Sequence, residues 1–263
     1  MSPKPTILII PGAFGLPEWY DSIVKPVAAH GYSVQAIKLP SVAYTKELVP
    51  GEGPAPTMYD DAAFIAAEVS KLAGEGQDIM LLAHSYGGVP TTQSTKGLSK
   101  DERQQEGKQG GIVRLTYLTS LVPALGQSAS SVLAGAPPEQ TLDFNIDESG
   151  WMTHSDLPNS ARICFSDLPQ AEGEAWMQKF TRHSALSFPS ELTHAGYKDI
   201  PVSYLICTED LCIPVEVQRE EVAMMERESG RKVDVTEIKA DHIPIAGKPE
   251  MVVAWILDVL SKM

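Results

Sequence analysis

Short β-branched apolar runs alternate along this chain with amphipathic segments of helix length, and this alternation constrains the fold more than any other feature. It is the pattern of βαβ units wound around a mostly parallel sheet. The predicted strands are Thr6 to Ile10, Tyr32 to Leu39, Asp78 to Ala83, Ile112 to Leu121, Pro201 to Cys207 and Lys232 to Lys239. Between them, Glu18 to His30 carries Trp19, Ile23 and Val27 on one helical face. Thr57 caps a helix that buries Ala62, Ile65, Val69 and Leu72. Val215 to Ser229 and a segment opened by Pro249 and running to Leu260 complete the helices. The stretch Pro40 to Pro56 is too rich in Pro and Gly for an element, and the polar, charged Gly97 to Gly111 reads as a solvated surface loop.

From Pro123 to about Lys198 the alternation fails, and Trp, Met, Pro and acidic residues replace the β-branched runs. The expected organisation is a core of residues 1–122 and 199–263, with 123–198 inserted after the strand ending near Leu121 as a mostly helical cap.

Composition narrows the function classes. With 263 residues, 43% of them hydrophobic, the chain can bury a large core. Its formal net charge of -13 argues against a nucleic-acid partner, which would need a basic face. The three cysteines, Cys164, Cys207 and Cys212, have neither CxxC spacing nor an even count, so no disulfide framework or zinc site is expected. The apolar run Ile7 to Ile10 is too short for a signal-peptide core or a membrane span. The expectation is a soluble cytoplasmic protein without membrane association, with a homodimer left open.

The chemistry centres on Ala83-His84-Ser85-Tyr86-Gly87. This small-x-Ser-x-Gly pattern follows directly on the apolar Ile79-Met80-Leu81-Leu82 and precedes a helix, the strand–turn–helix context that projects a nucleophilic serine. A serine in a merely structural turn is the alternative. A nucleophile at such an elbow takes its acid and base from later in the chain, in the order Ser, Asp or Glu, His. Asp210 follows the strand ending at Cys207, and His242 follows the last strand. Both sit at strand carboxyl ends, where α/β sheets present their sites. Glu209 is an alternative acid, and Asp210 is open to a turn-capping role before Ile213-Pro214. His30, His84, His154, His183 and His194 read as structural or surface residues, with His84 and His183 the two that have a route to the pocket. Backbone donors for a tetrahedral oxyanion are expected from Tyr86, at a helix amino end, and from Ala13, in the glycine-bearing loop after the first strand.

Four stretches, 7–34, 79–88, 204–218 and 238–256, resemble the plant methylesterase and hydroxynitrile lyase group of α/β-hydrolases and related microbial esterases. The likeness rests on Pro11-Gly12-Ala13 with Trp19-Tyr20, on Cys207-Thr208-Glu209-Asp210 with Ile213-Pro214 and Gln218, and on Asp241-His242. It implies an α/β-hydrolase fold, a Ser85–Asp210–His242 triad, Ala13 and Tyr86 as oxyanion donors, and no metal or organic cofactor. The family's usual His-Gly opening is Pro11-Gly12 here. In the cap, Phe165-Ser166-Asp167-Leu168-Pro169 with Trp176 resembles microbial members. Lyase members carry a threonine and a lysine where this chain has Gly12 and Ile243, so the resemblance implies hydrolysis.

The expected substrate is a small-molecule ester or lactone of an apolar acid, contacted by Gly12, Phe14, Trp151, Trp176, Leu211 and Ile243. The cap's aromatic and Met residues, Met152, Met177 and Phe180 among them, either line the pocket or form the cap's own core. Carbon–carbon cleavage, a lyase or cyclase step, and non-enzymatic ligand reception on the same scaffold are the competing functions.

Overall fold

A computed structural model describes residues 4–43, 53–135 and 137–263. Six strands form one parallel sheet: β1 (Thr6–Ile10), β2 (Val34–Ala36), β3 (Asp78–His84), β4 (Gly111–Leu118), β8 (Val202–Cys207) and β9 (Asp234–Ile238), in the spatial order β2-β1-β3-β4-β8-β9. Every neighbouring pair is parallel, with Ile7 opposite Met80 and Leu115 opposite Val202. The central strands β1, β3 and β8 are largely apolar and buried along most of their length because both faces are covered.

Side chains alternate across each strand, and the two halves of the core follow that alternation. Leu8, Ile10, Leu81, Leu115, Tyr204 and Ile206 face one side. There they meet Ile65 and Val69 of α2 (Met58–Gly74), and Met224 and Met225 of α8 (Val215–Ser229). Ile7, Ile9, Met80, Leu82, Leu118 and Leu205 face the other side, against Ile23 and Val27 of α1 (Asp21–Ala29) and Val252, Trp255 and Ile256 of α10 (Pro249–Ser261). The sheet is therefore wound on both faces. Each of these large aliphatic side chains contributes about 1.5–3 kcal/mol by leaving water. The helix ends carry local stop and start chemistry. Thr57 and Asp60 form a reciprocal capping box, and Gly230, at φ 68°, closes α8 in the left-handed region.

The structure departs from the sequence expectations at several points. The strand expected over Tyr32 to Leu39 is regular only at Val34–Ala36. The strand expected to reach Leu121 ends at Leu118, because Thr119 turns the chain with φ 40°. The stretch expected to be a loop over 97–111 contains α4 (Lys100–Gln105), opened by a Ser99–Glu102 capping box and anchored by Arg103, whose buried guanidinium donates to the carbonyls of Gln109 and Gly110. Much of the irregular connection expected over 40–56 lies outside the described residues.

Residues 123–198 are not mostly helical. They carry α5 (Ala129–Leu133), α6 (Leu157–Cys164) and α7 (Gln170–Met177). They also carry a three-stranded antiparallel sheet of β5 (Phe144–Ile146), β6 (Trp151–His154) and β7 (His183–Ser184). These strands are two to four residues long, below the length at which period-two alternation can be read from sequence. The short α3 (Gly88–Ser94) and α9 (Pro244–Gly247) complete the elements that frame the site. Among the described residues no helix is long and apolar enough to cross a membrane.

Candidate active site

The loops after β1, β3, β8 and β9 meet at the carboxyl edge of the sheet. Ser85 sits where β3 turns into helix and holds φ 54°, a conformation that costs a non-glycine residue on the order of 1–3 kcal/mol. The turn is held by the Leu121 amide, which donates to the Ser85 carbonyl at 3.0 Å, and by the Ser120 hydroxyl, which donates to the Ala83 carbonyl at 2.7 Å. A Cβ on Gly87 would lie 2.5 Å from the Pro11 carbonyl oxygen, so the glycine after the serine is a steric requirement.

His242 Nε2 lies 2.9 Å from Ser85 Oγ, and His242 Nδ1 lies 2.8 Å from Asp210 Oδ2. Asp210 is buried, and its Oδ1 accepts the amides of Cys212 and Ile213, each at 2.8 Å. Its Oδ2 also accepts Gln218 Nε2 at 3.2 Å. A carboxylate so supplied with donors is acceptor-only, which puts the proton of the neutral imidazole on Nδ1 and leaves Nε2 free to take the serine proton. Burial alone would lower the His242 pKa, but the Asp210 carboxylate reverses the sign and holds it well above the ordinary histidine value. The neighbouring Glu209 is exposed and pairs with Lys239 at 3.2 Å, pointing away from the histidine. The His242 loop is itself clamped: the Asp241 amide donates to Asp167 at 2.9 Å, and the Asp167 amide donates back to Asp241 at 3.0 Å.

The loop after β1 approaches the serine so closely that a Cβ on Gly12 would stand 3.0 Å from the Ser85 Cβ. The Gly12 amide donates to the Tyr20 hydroxyl at 3.1 Å and the Phe14 amide to His183 Nδ1 at 3.3 Å, while the Ala13 amide between them has no acceptor among the described residues. The Tyr86 amide lies in the first helical turn, where N–H groups lack intrahelical partners. The Tyr86 side chain is anchored below, its hydroxyl donating to the buried Asp61 at 2.7 Å. Burial pushes the Asp61 pKa up to about 6.

Above Ser85 opens a predominantly apolar cavity of about 310 Å³. Its walls include Gly12, Ala13, Phe14, Trp19, Phe144, His154, Phe180, Phe188, Leu133, Ile213 and Ile243, with Ser85, Tyr86 and His242 at the base.

The alpha/beta hydrolase family model matches residues 7–255. The chain belongs to the alpha/beta hydrolase family. Within it, the chain is 32% identical over 260 residues to the probable hydrolase R7 of a Phoma species, covering 99% of this chain and 98% of that one. It is 27% identical over 274 residues to methylesterase 9 of Arabidopsis thaliana, covering 98% and 99%. Its fold matches the crystal structure of a pyrethroid hydrolase from Sphingobium faniae with a TM-score of 0.72, at 23% identity and covering 98% and 97%.

Of the residues expected to contact substrate, this hydrolase lines its cavity with Gly12, Phe14 and Ile243 but not with Trp151, Trp176 or Leu211. Trp151 packs with Ala43 and Ala55 and under the Arg182 guanidinium, 5.0 Å from its ring centre. Trp176 stacks on Phe165 at 6.0 Å and meets Trp19 edge-on at 6.0 Å, one layer behind the wall. Leu211 packs against the core cluster of α1 and α10. Met152 and Met177 are likewise buried in that core, whereas Phe180 reaches the cavity. Sequence reasoning gave His154 no site role, yet its ring sits among Phe14, Phe144 and Phe180 at 4.6–5.4 Å, and burial pulls its pKa down to about 4. The pairing of Phe144 opposite His154 across β5 and β6 creates this wall, and no local motif announces it.

Proposed function

We propose that the chain hydrolyses a carboxylic ester or lactone of a small apolar substrate through an acyl-enzyme on Ser85. The observation that carries this reading is the continuous hydrogen-bonded series Ser85–His242–Asp210 opening onto an apolar cavity beside the free Ala13 amide. His242 takes the hydroxyl proton as Ser85 Oγ attacks the carbonyl carbon, and the Ala13 and Tyr86 amides hold the oxyanion. The imidazolium then gives its proton to the departing alkoxide. Water, deprotonated by the same nitrogen, attacks the acyl carbon and releases the acid with Ser85 regenerated. Asp210 keeps the tautomer that this relay needs. Residues 123–198 serve as a cap, supplying Leu133, Phe144, His154, Phe180 and Phe188 to the cavity.

Similarity to a methylesterase supports ester chemistry. Gly12 and Ile243 in the cavity wall support hydrolysis over cyanohydrin cleavage, since an apolar Ile243 offers a departing anion no positive charge. The test is turnover of a panel of methyl and aryl esters and lactones, with mass analysis of the trapped protein. Acid plus alcohol products, an acyl adduct on Ser85 and loss of turnover in Ser85→Ala are expected. Two carbon fragments, or an unaltered ligand bound tightly, would replace this reading with carbon–carbon cleavage or with reception.

A further inference from the structure

We infer that the buried His84 and His183 are positioning residues that pin the Gly12 and Phe14 amides, so that the Ala13 amide between them is left aimed at the oxyanion. The inference rests on the ester-hydrolysis reading and adds two residues which that mechanism does not use.

The argument follows the direction of each hydrogen bond. His84 Nε2 faces the His242 carbonyl, which can only accept, so in the neutral ring Nδ1 is the acceptor and takes the Tyr20 hydroxyl proton at 2.8 Å, leaving the Tyr20 oxygen to accept the Gly12 N–H. His84 Nδ1 is then unprotonated, and the ring proton sits on Nε2, which donates to the His242 carbonyl at 2.9 Å. A single directed chain thus runs from the oxyanion loop to the backbone of the general base. On the other side, Phe14 N–H donates to His183 Nδ1, and His183 Nε2–H donates to Ser187 Oγ at 3.1 Å. Ser187 sends its own proton to the Ser184 carbonyl at 2.8 Å, which closes the alternative tautomer.

Three consecutive amides therefore have three different fates. The outer two are spent on fixed acceptors, and the middle one is free beside Ser85. Phe14 holds φ 61°, a strained conformation for a side-chain-bearing residue, and His183 supplies the acceptor that keeps it there. The His183 ring also packs edge-on against Tyr86 at 4.7 Å, so one side chain holds the residue next to Ala13 and the Tyr86 side chain at once. An imidazolium at either position would set N–H against a donor. Burial prevents it, drawing both histidines down to about 3, with the charge of His242 adding to the effect at His84. Because His183 belongs to β7, the segment over the site also assembles the oxyanion loop beneath it.

The test compares two polar amide substitutions. In His183→Asn the amide oxygen can occupy the position of Nδ1 and accept the Phe14 N–H. In His183→Gln the amide reaches the Nε2 position by Ser187 and leaves that N–H without an acceptor. The readouts are kcat, KM, the rate of Ser85 phosphonylation by a fluorophosphonate, and inhibition by a trifluoromethyl ketone, which forms a tetrahedral oxyanion. His183→Gln is expected to lower kcat and phosphonylation by about 10²-fold and to weaken the ketone in parallel, with KM nearly unchanged. His183→Asn should recover most of the loss. The inference is overturned if the two variants behave alike, whether both active or both inactive, or if KM rather than kcat absorbs the effect. Failure of the wild-type protein to be phosphonylated at Ser85 would instead overturn the underlying hydrolase reading.

Discussion

Replacing Asp210 by Asn exchanges a single carboxylate oxygen for an NH₂ group and tests the proposed division of labour most sharply. Asp210 Oδ1 accepts two backbone amides, so an Asn side chain must keep its oxygen there and turn its NH₂ toward His242 and Gln218. Gln218 cannot flip to relieve the clash. Its Nε2 also donates to the Ile213 and Cys207 carbonyls, and its Oε1 accepts the Cys207 amide. His242 must then accept at Nδ1 and carry its proton on Nε2, facing Ser85 with a donor in place of an acceptor. The expected loss in kcat is on the order of 10⁴-fold, or about 5.5 kcal/mol of transition-state stabilisation. The pH profile supplies a second reading. Activity should rise with pH as His242 loses its proton. In the wild type the Asp210 charge puts that limb above the ordinary histidine value of about 6.5. In Asp210→Asn the burial remains without the carboxylate, so the residual activity should titrate below that value. The assay is p-nitrophenyl ester hydrolysis from about pH 5 to 9, with Glu209→Gln as control. Glu209 pairs only at the surface, so its variant should stay within about twofold of wild type. A tenth or more of wild-type kcat in Asp210→Asn, or a large loss in Glu209→Gln, would refute the reasoning.

Two further outcomes follow from the cavity and the core. Phe180→Ala, which removes an aromatic wall, should raise KM for an aryl ester about tenfold, while Trp151→Phe, outside the cavity, should leave KM unchanged; equal effects in Michaelis–Menten assays would contradict the lining described. Glu221 is buried against the Val122 amide and its pKa is pushed up to about 8, so the native state holds a proton that the unfolded chain releases near 4.5. Its contribution to stability is full below that lower value and is lost as pH rises through the upper one. Urea midpoints of Glu221→Gln should accordingly fall less than those of wild type between these two values. Parallel curves would show that Glu221 ionises normally.

What the sequence determined by itself is what local pattern and turn chemistry encode. The short apolar runs at Ile7–Ile10, stopped by Pro11-Gly12, and at Ile79–Leu82 read as buried strands. The small residues around Ser85 betray a crowded elbow, and the positions of Asp210 and His242 just past strand ends bring them to one edge of any parallel sheet. The Ser99-Lys100-Asp101-Glu102 capping box was equally local, and α4 could have been read from it. Tertiary structure alone decided the rest. Asp210 and Glu209 are adjacent and chemically alike, and only the three-dimensional arrangement gives one of them the amides of Cys212 and Ile213 and the side chain of Gln218, and the other a surface lysine. Trp151 and Trp176 carry the same aromatic signal as Phe144 and Phe180, yet the register of three very short strands and the packing of α7 turn the former away and the latter inward. His84 and His183 lie 99 positions apart, and their tautomers are set by acceptors contributed from distant segments. Side-chain direction and proton position depend on non-local neighbours, and no periodicity in one dimension records those.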